Sequence, residues 1–250
     1  MTAPRVLVWF SCGAASAVAG SLAIAKYGSE RVELVYCDVS ASEHPDNRRF
    51  MRDVEAWLGK AVTVIASKDF ATIDDVFERT RYMAGVSGAR CTTEMKKVPR
   101  FDYQRPDDVH VFGMHAGEEK RIGNLEANNP ELRFDWILRD RQVAKGECLA
   151  HIQAAGIELP AMYRLGFNNN NCIGCVKATS PAYWLKVREH FPDVFARRVA
   201  QSRAIGVRLS RLNGERVFLD ELPPDDQMRL WPAEPMESIA CGPDCNAGAA

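Results

Sequence analysis

Short apolar runs alternate with amphipathic stretches along the first 155 residues of the chain. Five runs are rich in β-branched and aromatic residues, as buried strands are: 6–10, 32–39, 61–66, 109–114 and 134–138. The stretches between them repeat apolar positions with a helical period: 17–27, 45–58, 69–79, 117–125 and 142–155. Strands that alternate with helices of this length predict an α/β fold, with a mostly parallel twisted sheet and helices on both faces.

The pattern changes after Gly156, where the chain becomes loop-like for about twenty residues. Two short helices and then two strands are predicted: 181–191, 192–205, 207–212 and 215–219. The two strands flank Asn213-Gly214, a dipeptide typical of tight hairpin turns. We therefore predict one large domain over 1–205, and a C-terminal hairpin with an irregular tail over 206–250.

The composition is that of a globular protein without a dominant charge. The formal net charge is −1 over 250 residues, so no overall field favours nucleic acid as a partner. The N-terminal segment lacks the apolar stretch of a secretory signal, and no run reaches the roughly 18 apolar residues of a membrane span. We expect a soluble cytoplasmic protein with no membrane partner. Its eight cysteines would then lie in a reducing compartment, where metal or redox chemistry is favoured over disulfides.

The most informative segment joins the first predicted strand to the first predicted helix. All of its residues are small: Ser11, Cys12, Gly13, Ala14, Ala15 and Ser16. Small side chains let a phosphate approach the backbone, and the N–H groups and dipole of a helix start favour an anion. We predict that these six residues bind the phosphates of a nucleotide. An ordinary tight turn is the alternative, because a loop with one glycine is a weak motif.

Polar residues follow two other predicted strands, at the edge where open parallel sheets bind ligands. Asp38 ends the second strand, where its carboxylate could hold Mg²⁺ or a ribose hydroxyl, or cap the next helix. Gly113, Glu118 and Arg121 follow the fourth strand. There the carboxylate could orient a nucleotide and the guanidinium could pair with a phosphate. A charged first helical turn is the alternative for this cluster.

Cysteines form a second candidate site. Cys172 and Cys175 have the C-x-x-C spacing that can grip a metal ion or a cluster. No second pair follows at zinc-ribbon spacing, so a third ligand must come from elsewhere, and we choose Cys91. Lys96 follows on the next helix and could bind phosphate or sulfate, with a solvated helix face as the alternative. Cys241 lies in a tail rich in proline and acidic residues, where it could react and then meet a reductant; a disordered chain end without function is the alternative.

Taken in order, these segments resemble the PAPS reductase family of the adenine-nucleotide α-hydrolase (PP-loop) superfamily. WFSCGAAS at 9–16 resembles the PP-loop, and CDVSASEHPDN at 37–47 resembles the aspartate segment after the second strand. CTTEMKKVPRF at 91–101 resembles the segment with a cysteine and lysines, and GMHAGEEKR at 113–121 resembles the segment from glycine to arginine. NNCIGC, which ends at Cys175, is similar to the cysteine pair of iron–sulfur members. The resemblance covers roughly residues 5–205.

The resemblance implies an adenine nucleotide, either PAPS, APS or ATP, as the ligand of the loop, of Asp38, of Gly113 and of Glu118. It implies an enzyme that reduces a sulfonucleotide to sulfite. Cys241 stands in the context of the nucleophile, and Lys96 and Arg121 take catalytic roles. A thioredoxin-like reductant and a homodimer are further expectations.

Departures from the family pattern keep other functions open. Ala15 stands where ATP pyrophosphatases of the superfamily carry aspartate, and Cys241 lacks the neighbouring glutamate and histidine of the reductase element. Cys91, Cys172 and Cys175 resemble the three cysteines of tRNA-thiolating members, whose 4Fe–4S cluster keeps one open iron. An ATP-dependent sulfurtransferase acting on tRNA or DNA is therefore the first alternative. A non-catalytic nucleotide-binding module is the second.

Overall fold

The computed structural model describes residues 3–85 and 88–224. Nine strands are found there: β1 (Val6–Trp9), β2 (Val32–Cys37), β3 (Val62–Ile65), β4 (Ala84–Gly85), β5 (Gly88–Ala89), β6 (Val109–Phe112), β7 (Arg133–Asp135), β8 (Ser210–Leu212) and β9 (Glu215–Val217). Five of them form one sheet in the order β3-β2-β1-β6-β7, and every neighbouring pair is parallel. Val6 pairs with Val32 on one side and Val109 on the other.

Helices connect and cover these strands. Those described are α1 (Ala14–Tyr27), α2 (Asn47–Leu58), α3 (Ile73–Thr80), α4 (Arg90–Thr92), α5 (Val98–Tyr103), α6 (Glu119–Asn128), α7 (Ile137–Asp140), α8 (Lys145–Ala154), α9 (Ala161–Arg164), α10 (Pro181–His190) and α11 (Pro192–Ile205). A π-helical segment, Thr93–Lys97, joins α4 to α5. Within the described ranges, no helix has both the length and the apolar character needed to span a membrane.

The central strand β1 is buried on both faces, as its unbroken apolar sequence predicts. Val6, Val8 and Phe10 belong to the larger core, which is covered by α1, α2, α3 and α8. Leu7 and Trp9 belong to a second core, on the face covered by α6. Because a strand points successive side chains to opposite faces, one strand supplies both cores. The predicted α/β class, with a mostly parallel sheet and helices on both faces, is confirmed.

The predicted strand over 134–138 is interrupted. β7 ends at Asp135 and α7 begins at Ile137, with Trp136 between them. The Trp136 ring stacks on Phe134 at a centroid distance of 5.0 Å, and its Nε1 donates to Glu126 Oε1 over 2.7 Å. Since a short apolar run does not distinguish a strand from a buried helix, the sequence pattern could not locate this break.

The two short helices and the hairpin predicted after Gly156 are also found, as α10, α11 and the antiparallel pair of β8 and β9. The hairpin is tied to the preceding chain at Thr179, whose carbonyl accepts from the Arg211 N–H (2.8 Å) and the Ser210 hydroxyl (3.2 Å). A division into domains 1–205 and 206–250 stays a prediction. Cys241, the predicted nucleophile, lies outside the described residues.

Candidate functional site

The sheet order places a crevice beside the carboxyl end of β1. This strand lies between β2 and β6. The chain runs from β1 to β2 toward one edge of the sheet, and from β6 to β7 toward the opposite edge. Such a switch point is where open α/β sheets bind ligands. Residues that follow β1 and residues that follow β6 line one open cleft there, with a cavity volume of about 80 Å³. The sequence-predicted segments 11–16 and 113–121 therefore meet at a single site.

The loop after β1 is held by its own hydroxyl groups. Ser16 Oγ accepts hydrogen bonds from the Ser11 N–H (3.1 Å) and donates to the Gly13 carbonyl (2.9 Å). Gly13 is the N-cap of α1 and has no side chain to accept from the N–H groups of the first turn. The hydroxyl of Tyr163 hydrogen-bonds to the backbone of Ala14. The loop thus presents a helix N-terminus to the cleft.

Gly113 allows β6 to approach this loop. A Cβ built on Gly113 would lie 2.5 Å from the backbone nitrogen of Ser16 and 2.7 Å from its Cα. These distances are shorter than real Cβ contacts, and the opposing atoms are backbone, so they cannot rotate away. Only glycine fits at this position without displacing the start of α1.

Gly113→Ala is expected to lower the free energy of unfolding by about 1–3 kcal/mol, as overpacking at a closed contact does. Denaturation in urea measures this change. Gly123→Ala in α6 is the matched control, because a Cβ there meets no heavy atom within 4 Å. That variant should gain about 0.5–1 kcal/mol from better helix propensity. Equal effects of the two variants would contradict the close approach of β6 to the loop.

Charged side chains form one wall of the cleft. Glu118 Oε1 accepts from Arg121 Nη1 (2.7 Å), and its Oε2 accepts from the His115 N–H (3.0 Å). Glu118 therefore orients Arg121 and the loop after β6. Lys145 lines the same cleft: its Nζ donates to Asn169 Oδ1 (2.9 Å), and burial lowers the pKa of this lysine against the opposing charge of Glu118. Two cations thus lie near the start of α1.

Two of the predicted nucleotide ligands, Cys12 and Asp38, are not among the residues that line the cleft. The Cys12 side chain is buried in the larger core, and burial raises the pKa of its thiol well above the usual value. The backbone of Cys12 is left-handed, with φ +54°. Asp38 does not line the cleft, and its Oδ1 accepts from the Ser40 N–H over 2.9 Å. Their predicted contacts with a nucleotide stay predictions.

The three predicted cysteine ligands line a second, small cavity, of about 20 Å³. Cys172 and Cys175 come from the turn before α10, and Cys91 comes from α4. Lys96, from the π-helical segment, lines the same cavity, and π-helical turns are frequent at functional sites. The structure thus brings together four residues that the sequence assigned to sulfur chemistry.

Buried groups fix the turn that carries Cys172 and Cys175. The Tyr183 hydroxyl accepts from the Cys175 N–H (2.8 Å) and donates to the Cys172 carbonyl (3.3 Å). Arg198 Nε donates to the carbonyl of Gly174 (3.1 Å), which has φ +66°. The conformation of the turn is therefore set by α10 and α11 as well as by its own sequence.

The side chains that line the second cavity determine whether a metal ion or a metal cluster could bind there. Within residues 3–85 and 88–224, no three His, Cys, Asp or Glu side chains are grouped closely enough to hold one metal ion. Cys91, Cys172 and Cys175 line one cavity, and their thiolates are the donor type that iron–sulfur clusters use. The predicted 4Fe–4S cluster and the predicted Mg²⁺ both stay predictions.

Several residues that line the first cleft were not predicted from the sequence: Lys145, Tyr163, Asn169, Asn170 and Asn171. They come from α8, α9 and the loop before the cysteine turn, far along the chain from residues 11–16. Only the run of four asparagines from 168 to 171 carried a signal, since such a run is unusual in a connecting loop.

Comparisons with known proteins give matches among solved structures. No family model matches the sequence, and no curated protein matches it. Among solved structures, the chain is similar to the phosphoadenylyl-sulfate (PAPS) reductase of Candida auris, crystallised as a phosphate complex. The identity is 12% and the TM-score 0.49, over 68% of this chain and 82% of that chain. Values this low assign the chain neither a family nor an activity.

Proposed function

We propose that the first cleft binds an adenine nucleotide with its phosphates at the N-terminus of α1. One observation carries this proposal: the start of α1 meets Arg121 and Lys145 in one cleft at the switch point of the sheet. N–H groups, a helix dipole and side-chain cations all favour phosphate oxygens. The apolar lining includes Trp9, Phe112 and Met114, which suits a base or ribose. Adenine as the base follows from the sequence resemblance.

Calorimetric titration of the full chain with PAPS, APS and ATP tests this proposal. Arg121→Ala should weaken binding by about 1.5–3 kcal/mol, the range for hydrogen bonds to charged groups. The control is Arg133→Ala, since Arg133 is exposed on β7 outside the cleft. Failure of all three nucleotides to bind the unaltered protein would refute the proposal. Equal losses in the two variants would refute the role of Arg121.

We infer that the bound nucleotide undergoes sulfur chemistry, because the turn with Cys172 and Cys175 follows directly on residues 169–171, which line the nucleotide cleft. In the preferred reaction the Cys241 thiolate attacks the sulfur of a sulfonucleotide. An S–S bond forms, the S–O bond breaks, and the nucleotide leaves with the oxygen. A second thiol then attacks the Cys241 sulfur, forms a disulfide and releases sulfite. The two electrons come from that dithiol, either Cys241 with Cys245 or a thioredoxin-like reductant.

In this reaction, Arg121 and Lys96 are proposed to bind the anionic phosphate and sulfate groups. Cys91, Cys172 and Cys175 would hold a 4Fe–4S cluster, which would supply one iron open to a sulfur ligand because the protein provides only three thiolates. Tyr183 and Arg198 position two of these cysteines through the backbone of their turn. Asp38 is proposed to contact the nucleotide through Mg²⁺ or the ribose, which requires that its bond to Ser40 be exchanged.

The cysteine cavity also supports a second candidate, an ATP-dependent sulfurtransferase acting on tRNA or DNA. Three cysteines that line one cavity could hold a cluster with one iron open for a sulfur ligand. Product analysis separates the functions: sulfite release with thioredoxin favours the reductase, and pyrophosphate release with an acceptor favours the transferase. Nucleotide binding without turnover favours a non-catalytic module.

Truncation after Pro235 decides the role of the tail. The truncated protein should still bind nucleotide, because the cleft is built from residues 9–171. It should lose sulfite release, because Cys241 and Cys245 are removed. Full sulfur-transfer activity in the truncated protein would exclude Cys241 as the nucleophile and favour the transferase.

A further inference from the structure

A buried amide joins the phosphate loop to the cysteine turn. Asn170 Nδ2 donates to the carbonyl of Cys12 over 2.6 Å and to Asn47 Oδ1 over 2.8 Å. Asn170 is 94% buried and lines the first cleft, and it lies two residues before Cys172. Through this side chain the loop after β1 contacts the segment that carries the cysteines, 158 positions away in sequence.

The orientation of this amide is fixed by its neighbours. A buried Glu43 carboxylate oxygen accepts from the Tyr36 hydroxyl (2.9 Å) and from Asn47 Nδ2 (2.8 Å). Asn47 must therefore turn its oxygen toward Asn170, which must donate in return. A backbone carbonyl only accepts, so the contact with Cys12 requires the same orientation. Both N–H bonds of the Asn170 amide are used, and in the described part of the chain its Oδ1 has no hydrogen-bond partner.

The hydrogen bond from Asn170 is made to the residue of the loop whose backbone conformation is strained, Cys12. A non-glycine residue with φ +54° costs free energy and persists only where its surroundings hold it. The direction of the Cys12 carbonyl depends on that backbone conformation. A hydrogen bond to this carbonyl therefore stabilises the loop in the conformation that exposes the start of α1 to the cleft.

We propose that Asn170 is a positioning residue that couples occupation of the phosphate loop to the exposure of Cys172 and Cys175. This inference rests on the proposed binding of a nucleotide at that loop. A phosphate that shifts the Cys12 carbonyl moves the amide bonded to it, and Asn170 transmits the shift to the turn two residues on. Such coupling is reciprocal: a group bound at the cysteines changes the affinity of the loop for phosphate by the factor by which phosphate changes the affinity of the cysteines for that group.

Alkylation of the full chain with iodoacetamide, read by mass spectrometry at each cysteine, tests the coupling. Rates are measured with and without PAPS and ATP, in the unaltered protein, in Asn170→Ala and in the control Asn168→Ala, whose side chain is exposed. Cys148, buried in α8, is the internal reference for global opening. Calorimetry on the same samples reports nucleotide binding separately. Asn170→Ser replaces the alanine variant if the latter does not fold.

We expect nucleotide to change the alkylation rates of Cys172 and Cys175 in the unaltered protein and in Asn168→Ala. In Asn170→Ala, nucleotide should still bind but should leave these two rates unchanged. Without nucleotide, Asn170→Ala should raise both rates about three- to tenfold relative to Cys148, as the loss of one or two hydrogen bonds implies. Equal nucleotide responses in the two variants would overturn the coupling. If calorimetry shows no nucleotide binding to the unaltered protein, the proposed function fails. If, without nucleotide, Asn170→Ala alkylates Cys172 and Cys175 no faster relative to Cys148 than the unaltered protein does, the positioning role of Asn170 is overturned as well.

Discussion

Replacing Arg198 with alanine is expected to lower the free energy of unfolding by about 3 kcal/mol. The side chain is 1% exposed, bonds to the Gly174 carbonyl and to Asp74, and lies over the Phe77 ring at 5.3 Å. Alanine would leave that carbonyl buried without its donor and open a cavity beside Phe77. Denaturation in guanidinium chloride measures the loss.

Arg197→Ala is the matched control for this prediction. Arg197 also pairs with Asp74, over 3.1 Å, but about half of its side chain is exposed. Exposed pairs contribute little, so its loss should cost less than about 1 kcal/mol. Because Arg198 also holds the cysteine turn, only Arg198→Ala should speed alkylation of Cys172 and Cys175. Equal costs for the two arginines would show that burial of Arg198 adds no stability.

The second large effect is a loss of stability in mild acid that depends on His110. This ring is fully buried, and burial, together with the charge of Arg100, lowers its pKa to about 4. Trp9 Nε1 donates to His110 Nδ1 over 3.0 Å, so the neutral ring carries its proton on Nε2. Within the described residues this Nε2 has no hydrogen-bond partner. A second proton would break the bond to Trp9.

The pH window follows from the two protonation states. Above about pH 6.5 neither the folded nor the unfolded chain protonates this ring, and its contribution is complete. Between about pH 6.5 and 4 the unfolded chain binds a proton that the folded protein excludes. The free energy of unfolding therefore falls as pH falls, by about 3 kcal/mol in total. Asp46, whose hydrogen bond with Arg49 lowers its pKa to about 2, contributes only below this window.

Urea denaturation at pH 7, 6, 5 and 4.5 checks this prediction. His110→Asn keeps an acceptor near the position of Nδ1 and does not titrate, so most of the acid loss should disappear. His151→Asn is the control, since His151 is exposed on α8. An unchanged slope in His110→Asn would assign the acid sensitivity to other groups.

The sheet and its helices could be predicted because their signals are local. Runs such as 6–10 and 32–39 are apolar along their whole length, and the helices between them have clear periodicity. The predicted helix over 69–79 begins only at Ile73, because Thr72 caps it by accepting from the Asp75 N–H. The break at Trp136 depends on stacking with Phe134, which no local pattern shows.

The candidate site could be predicted only in part, because some of its residues follow a strand directly and others come from distant parts of the chain. The loop 11–16 and the segment 113–121 follow strands directly, so topology brings them to one edge. Lys145 and Asn170 reach the cleft through the packing of distant elements. The burial of Cys12 depends on a left-handed backbone that the sequence gives no reason to expect at a cysteine.

Hydrogen–deuterium exchange with and without saturating PAPS or ATP tests most directly where a nucleotide binds. Slower exchange is expected at the backbone amides of residues 13–17, at the start of α1, and at 113–116 after β6. Peptides from the β8–β9 hairpin should exchange unchanged. Protection confined to elements outside the cleft, or no protection with nucleotide bound, would contradict the proposed phosphate site.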